Sequence, residues 1–267
     1  MKILPTSLFS LLVLTGSSHA ALLLHYAFDE GSGTTVTDSS GNGRDLTLNG
    51  GSTWNATGGA FGGSVNLGGA LARAGGVSAS TISSLNTVTG NQVTIAFWAN
   101  VNSESVGSNP FTISNSNNSV GTRILQAHLE WSDGTTYFDA AWDVSSANRV
   151  SGDLGDVSSD LNHYIFTYDG DAGQMAIYKN NVLQFSNNSA PGGAINWAGI
   201  QNFELGAFSF NNGLWAGEMD DFAMWNEVLD EQDRTQIFNS GVASIPEPSG
   251  AALLGLAGLG FILRRRR

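Results

Sequence analysis

The 267-residue chain contains no cysteine, which excludes a disulfide framework, a thiolate zinc site and a cysteine nucleophile. Basic residues are scarce, with eleven Lys and Arg against 23 Asp and Glu. Five of the eleven (Lys2, Arg264, Arg265, Arg266 and Arg267) lie at the chain ends, whereas every acidic residue falls between Asp29 and Glu247. The body between the ends therefore carries a formal charge of −17. Nucleic acids and anionic membranes are polyanions that such a body repels, whereas a calcium ion suits it. Helical patterning is also scarce. Stability must then come from burial of a core, supplemented at most by a bound metal.

The two ends read as addresses rather than as fold. Residues 1–20 carry Lys2, an apolar run from Leu8 to Leu14 and the small-residue stretch Gly16-Ser17-Ser18-His19-Ala20-Ala21. This is the pattern of a secretory signal peptide, cut by signal peptidase after Ala20 or Ala21. A buried first helix is the alternative, but the apolar run is short and ends in small residues. The remainder is long enough for one large domain, placed at residues 21–243, followed by a tail at 244–267.

Within the body, 34 glycines across the chain and abundant Ser, Thr and Asn indicate many short strands joined by tight turns. The run Val93 to Val101 places Val93, Ile95, Phe97 and Val101 on one side of a strand, and period-two geometry turns them toward a core. His163 to Asp169 and Gln174 to Lys179 form a hairpin across Asp169-Gly170-Asp171-Ala172-Gly173. Further strands are expected at Leu22 to Phe28, Thr136 to Trp142, Asn202 to Ala207 and Gly217 to Trp225. Ser103 to Gly121 and Asp143 to Asp160 are polar and read as long loops or edge excursions. One helix is expected, Glu231 to Asn239, with Asp230 as its cap and Gly241 as a left-handed stop.

Several motifs occur in a familiar order. His25-Tyr26-Ala27-Phe28-Asp29-Glu30-Gly31-Ser32-Gly33 is followed by Asp38-Ser39-Ser40-Gly41-Asn42-Gly43 and by Leu46-Thr47-Leu48-Asn49-Gly50-Gly51. Downstream come Ile95-Ala96-Phe97-Trp98, His163 to Gly170, Met175 to Asn180, Phe203-Glu204-Leu205-Gly206 and Gly217 to Trp225. Together these resemble LamG-like, concanavalin A-like domains from Leu22 to Gly241, except in the polar middle from Ser103 to Asp160. The resemblance implies an all-β fold: a two-sheet antiparallel jelly-roll sandwich with one short C-terminal helix.

The same resemblance implies a structural Ca²⁺ where the first and last strands meet, held by Asp29 and Asp220 with backbone carbonyls around Gly31 or Gly51. A hard cation wants several oxygens at flexible distances, which these groups can supply. The alternative is that both aspartates only accept hydrogen bonds from turn amides. Asp38, Ser40, Asn42 and Gly43 imitate the start of an EF-hand loop, but position twelve is Asn49 and no helices flank it, so a glycine-rich turn is the better reading. No catalytic residue is assigned, because no E-x-D-x-x-E arrangement of carboxylates occurs. Glu130 and Asp133 read as a solvated loop, and His25, His128 and His163 as ordinary strand residues. Trp98 and Tyr164 are candidates to stack on a ligand, although core packing is the commoner fate of such aromatics.

The tail places Pro246-Glu247-Pro248 before an apolar stretch from Ala251 to Leu263 and then Arg264-Arg265-Arg266-Arg267. It resembles the PEP-CTERM sorting signal of Gram-negative bacteria, which implies an exosortase-type processing enzyme as partner and delivery to the envelope, cell surface or extracellular matrix. From Ser249 to Leu263 a helix would reach about 22 Å, enough for a transient anchor rather than a permanent span. The arginines would stay on the cytoplasmic side. The functional expectation is a non-enzymatic exported protein that binds a polysaccharide or a surface protein. A polysaccharide-active enzyme and a purely structural matrix protein are the alternatives.

Overall fold

The computed structural model describes residues 20–49, 51–68, 79–101, 109–115, 123–140, 148–207 and 214–245. The leader through His19 and the tail residues Pro246, Glu247, Pro248, Arg264, Arg265, Arg266 and Arg267 lie outside the described residues.

The first part of the chain contains β1 (Leu22–Tyr26), β2 (Thr35–Val36), β3 (Leu46–Thr47), β4 (Thr53–Asn55), β5 (Ser64–Gly68), helix α1 (Ala79–Leu85) and β6 (Gln92–Val101). The middle contains β7 (Phe111–Ser114), β8 (Arg123–His128), β9 (Thr136–Ala140) and β10 (Arg149–Gly152). Then follow β11 (Asn162–Asp169), β12 (Gln174–Lys179), β13 (Val182–Asn187), β14 (Asn202–Leu205), β15 (Ala216–Trp225) and helix α2 (Glu231–Ser240).

The strands form an eight-stranded sheet in the order β13-β12-β11-β6-β15-β5-β4, with β1 also paired to β15, and a five-stranded sheet in the order β10-β9-β8-β7-β14. All pairings are antiparallel. This is the expected sandwich, and its first and last strands are neighbours, with Tyr26 opposite Phe222. Of the two segments read as long loops or edge excursions, Ser103 to Gly121 supplies the inner strand β7, which corrects that reading, and Asp143 to Asp160 supplies the edge strand β10; β8 lies between them.

The core forms where the two inner faces meet. Val93, Ile95, Phe97, Ala99 and Val101 of β6 point into it, as the alternation requires. Across from them stand Ile113, Leu125, Ala127, Phe138 and Phe203 of the smaller sheet. Phe97 is central, with ring centroids 5.7 to 6.1 Å from Phe111, Tyr164, Phe166 and Phe222. A second cluster lies on the outer face of the larger sheet, where Leu22, Ala96, Ile165, Ala223 and Trp225 pack against Ile237 of α2, Val242 and Ile245.

Local details follow the residues. Asp230 caps α2 by accepting from Asp233 N at 2.9 Å, and Asp169 Oδ1 gathers the amides of Asp171 and Ala172 in the β11–β12 turn. Gly241 stops α2 at φ 78° and ψ 167°, which is extended in ψ and not the expected left-handed helical conformation. Asp38 accepts from His25, Ser40 and Arg44 amides, so the EF-like segment is a turn held by its own backbone. Helix α1 was not expected.

Replacing Phe97 with alanine should cost about 3–5 kcal/mol, because the ring is fully buried and four other rings border the space it would leave. Chemical denaturation of the Phe97→Ala protein would read this as a lowered midpoint at unchanged slope.

Candidate functional site

The site expected at the meeting of the first and last strands is built around a bulge. Along β15, Met219 and Phe222 point into the core, yet Asp220 and Asp221 both serve the opposite side. The register shifts between Asp220 and Ala223, and Asp221 has φ 50°, so the extra residue turns both carboxylates outward. Asp220 Oδ2 accepts from Ala60 N at 2.8 Å and Phe61 N at 3.1 Å. Asp29 Oδ1 accepts from Gly63 N at 2.7 Å. The two aspartates thus grip one loop, residues 58–63. Its glycines are required by proximity: a Cβ on Gly59 would fall 2.6 Å from Asp220 Oδ2, and one on Gly62 2.3 Å from Asp29 Oδ1.

Sequence reading named the two aspartates but not this loop. Gly31 and Gly51 make no described contact with either carboxylate. The signal available was the Gly58-Gly59 and Gly62-Gly63 pairs flanking Ala60 and Phe61. Asp221 completes the junction. Its Oδ1 lies 2.6 Å from His25 Nε2 and its Oδ2 accepts from Val242 N at 2.8 Å, both buried. Asp220 Oδ1 is buried without a hydrogen-bond partner. Burial raises the Asp220 carboxyl to about 6, with the Asp221 charge adding to the rise and the amides of Phe61 and Ala60 opposing it. Among the described residues no three His, Asp or Glu side chains cluster as metal ligands.

The two aromatic candidates separate. Trp98 and His163 are Cα partners on the outer face, while Tyr164 is paired with Phe97. Tyr164 is fully buried in the core and presents no surface to a ligand, which corrects the expectation for it. Trp98 stacks on Phe238 of α2 at 5.5 Å and meets Phe61 edge-on at 5.9 Å.

A richer polar constellation, not anticipated, occupies the outer face of the five-stranded sheet. Cross-strand pairing aligns Glu204, Thr112, Gln126, Asp139 and Arg149 in one row over β14, β7, β8, β9 and β10. The next row contains His128, Tyr137 and Ser151. Arg149 clamps Asp139 through Nε at 2.5 Å and Nη2 at 2.8 Å, and lies 4.8 Å above the Tyr137 ring. Arg123 reaches the same carboxylate at 3.5 Å. In the β8–β9 turn, Trp131 is 37 % exposed and meets the His128 ring edge-on at 4.5 Å.

Four side chains of this face are buried yet have an unpartnered polar atom: Thr112 Oγ1, Gln126 Oε1, His128 Nδ1 and Asn202 Nδ2. Buried polar atoms normally find partners, so these four are exceptions, as are Trp98 Nε1 and His163 Nδ1 on the larger sheet. The Gln126 amide lies 2.6 Å from His128 Nε2. With the amide donating, His128 carries its proton on Nδ1 as a free donor.

Burial, reinforced by the Arg123 and Arg149 charges, lowers the His128 imidazole to about 3, and burial lowers His163 to about 4 against the pull of Asp221. Both lie below the unfolded value of about 6.5. As pH falls from about 6.5 toward 3, the unfolded chain gains protons that these folded imidazoles refuse, so stability is lost across that window. The raised Asp220 carboxyl opposes this below about pH 6. Thermal melts from pH 7 to 4 should therefore show a smaller decline for His128→Gln than for the unsubstituted protein. Parallel declines would refute the assignment.

Residues 72–233 match the concanavalin A-like lectin/glucanases superfamily. No curated protein sequence matches the chain. Among solved structures, the botulinum neurotoxin serotype C1 binding domain is similar at TM-score 0.59 and 17 % identity, over 82 % of this chain and 52 % of that one. The serotype G binding domain gives 0.56 and 14 %, over 81 % and 50 %. The chain thus spans about half the length of these toxin domains. Domain 4 of AbnA, an extracellular GH43 arabinanase from Geobacillus stearothermophilus solved with arabinotriose, gives 0.55 and 19 %, over 81 % of this chain and 97 % of that one. At these identities the likeness is one of fold. With the family match covering more than half of its length, the chain belongs to the concanavalin A-like lectin/glucanases superfamily.

Proposed function

We propose that this protein is an exported, non-catalytic recognition module that binds a glycan on the outer face of its five-stranded sheet. What supports the reading is the superfamily match together with the mixed donors and acceptors of that face. These atoms are buried in this structure, and a ligand would reach them only by displacing what covers them. Thr112 offers a hydroxyl, Gln126 Oε1 an acceptor, and His128 Nδ1 and Asn202 Nδ2 donors. A carboxylate or phosphate ligand would want donors only, and an ammonium acceptors only. A mixed set suits hydroxyl groups, which donate and accept at once. The charged pair Asp139–Arg149 is satisfied internally, which favours a neutral oligosaccharide, and the row of five strands is about 19 Å long. Exposed Trp131 stands at the rim, where an aromatic ring can pack on a sugar.

The same face argues against hydrolysis. Glu204 and Asp139 are separated by three strand spacings, about 14 Å, whereas glycosidase carboxylates sit about 5–9.5 Å apart. Asp139 is also committed to two arginines.

Calcium at Asp29 and Asp220 belongs to this reading as a structural ion. The buried, unpartnered Asp220 Oδ1 and the −17 charge of the body support it, and the ion would neutralise the two carboxylates where β1 meets β15. Export by the 1–20 leader, with sorting by an exosortase-type enzyme at Pro246-Glu247-Pro248, is supported by the order of tripeptide, apolar stretch and arginines. The product would reside on the cell surface or in the extracellular matrix.

A neutral-glycan array should give saturable binding without turnover, and Gln126→Ala should weaken it roughly tenfold at unchanged circular dichroism, the factor that about 1.4 kcal/mol produces. Silence on the array, or full affinity in that variant, would overturn the site. Mass spectrometry of the surface form should give a C-terminus upstream of Arg264, and an intact Arg267 would contradict processing.

A further inference from the structure

We infer that loop 58–63 works as a clamp that couples the Asp29–Asp220 junction to the docking of helix α2, so that occupancy of the junction sets how firmly the C-terminal helix is held. The inference rests on the reading of Asp29 and Asp220 as an ion site and adds what that ion would control.

Helix α2 has ten residues, too few to persist in water without tertiary support. Its support is narrow. Ile237 is its one fully buried side chain, in the outer cluster on the larger sheet. Phe238 lies one position on and packs on Trp98 at 5.5 Å with the planes 12° apart, and on His163 at 5.8 Å. Arg234 covers the Tyr178 ring at 4.5 Å, and Asn181 Nδ2 donates to Thr235 Oγ1 at 2.9 Å.

Trp98, the platform for Phe238, is itself braced from the loop. The Phe61 ring meets it edge-on at 5.9 Å, with an interplanar angle of 81°. Phe61 also touches the end of the helix: a Cβ added to Gly241 would sit 3.2 Å from the Phe61 ring and 3.3 Å from Asp221 Oδ2. Phe61 is held in place by its own amide, which donates to Asp220 Oδ2 together with that of Ala60. One carboxylate therefore fixes the loop, the loop fixes the Phe61 ring, and the ring abuts both the tryptophan under the helix and the glycine that ends it.

The chain of contacts has a direction. Asp29 holds the far end of the same loop through Gly63, so a cation shared by Asp29 and Asp220 would fix both ends of the clamp, and its removal would leave two acidic side chains to repel each other across the loop. Loosening of Phe61 would then be felt first at Phe238, through Trp98, and at Gly241, which lies beside the ring. Segments with little buried contact open before the rest of a domain does.

Hydrogen exchange of the full chain, in CaCl₂ and after EDTA, tests this alongside calorimetric titration of CaCl₂. EDTA should speed exchange within Glu231–Ser240 roughly tenfold while the β6, β11 and β15 amides stay protected, the factor that about 1.4 kcal/mol of lost aromatic contact produces. In Phe61→Ala, calcium should still bind, α2 should exchange fast in both buffers, and EDTA should add nothing. Binding by calorimetry with α2 exchange unchanged by EDTA overturns the coupling and leaves the ion reading standing. A flat titration overturns both. The wild-type comparison stands by itself should the variant fold poorly.

Discussion

The pairing of β1 with β15 is the constraint on which this molecule depends, because it joins residues some 200 positions apart in the chain. That closure carries a large loop-entropy cost, which many simultaneous contacts must offset. The bulge at Asp220 and Asp221 divides β15 into two halves on the same edge: Ala216–Met219 pairs with β5 and Phe222–Trp225 with β1. At the division, adjacent carboxylates hold loop 58–63, His25 and the start of the segment after α2. One local irregularity thus gathers three distant parts of the chain. The cost is a non-glycine residue at positive φ, sustained because Asp tolerates that region better than most residues and both its oxygens are engaged.

The two sheets use their outer faces differently. The larger sheet buries Ala96, Ile165 and Trp225 under α2, so its outside is a second small core. The smaller sheet has a polar outside with Gln126, Asp139 and Thr112 aligned across strands. Both outer faces hold buried polar atoms without partners, Trp98 Nε1 and His163 Nδ1 on the larger sheet and Gln126 Oε1 and His128 Nδ1 on the smaller.

Much of the larger sheet was legible in the sequence because β6 and the β11–β12 hairpin have long apolar alternations and a glycine-bearing turn. Of the smaller sheet only β9 and β14 were expected. β7 and β10 are four residues each and sit among Ser, Asn and Gly, so period two has too few residues in which to register. Tyr164 was misplaced for a different reason. All six central residues of β11 are buried, since one face meets the core and the other meets Trp98 and α2. In a strand buried on both sides, alternation does not say which side is outward. Family resemblance named Asp29 and Asp220 together, and both accept hydrogen bonds from amides of one loop. That loop was not named, because two Gly-Gly pairs state a need for close approach without naming what approaches.

Ala20, Leu22, Val242 and Ile245 all belong to the cluster on the back of the larger sheet. The polypeptide therefore enters and leaves this body through one patch, and that patch is on the side of the sandwich opposite the Gln126–Asp139 row. Fraying at either end of this body would therefore uncover the same small apolar surface.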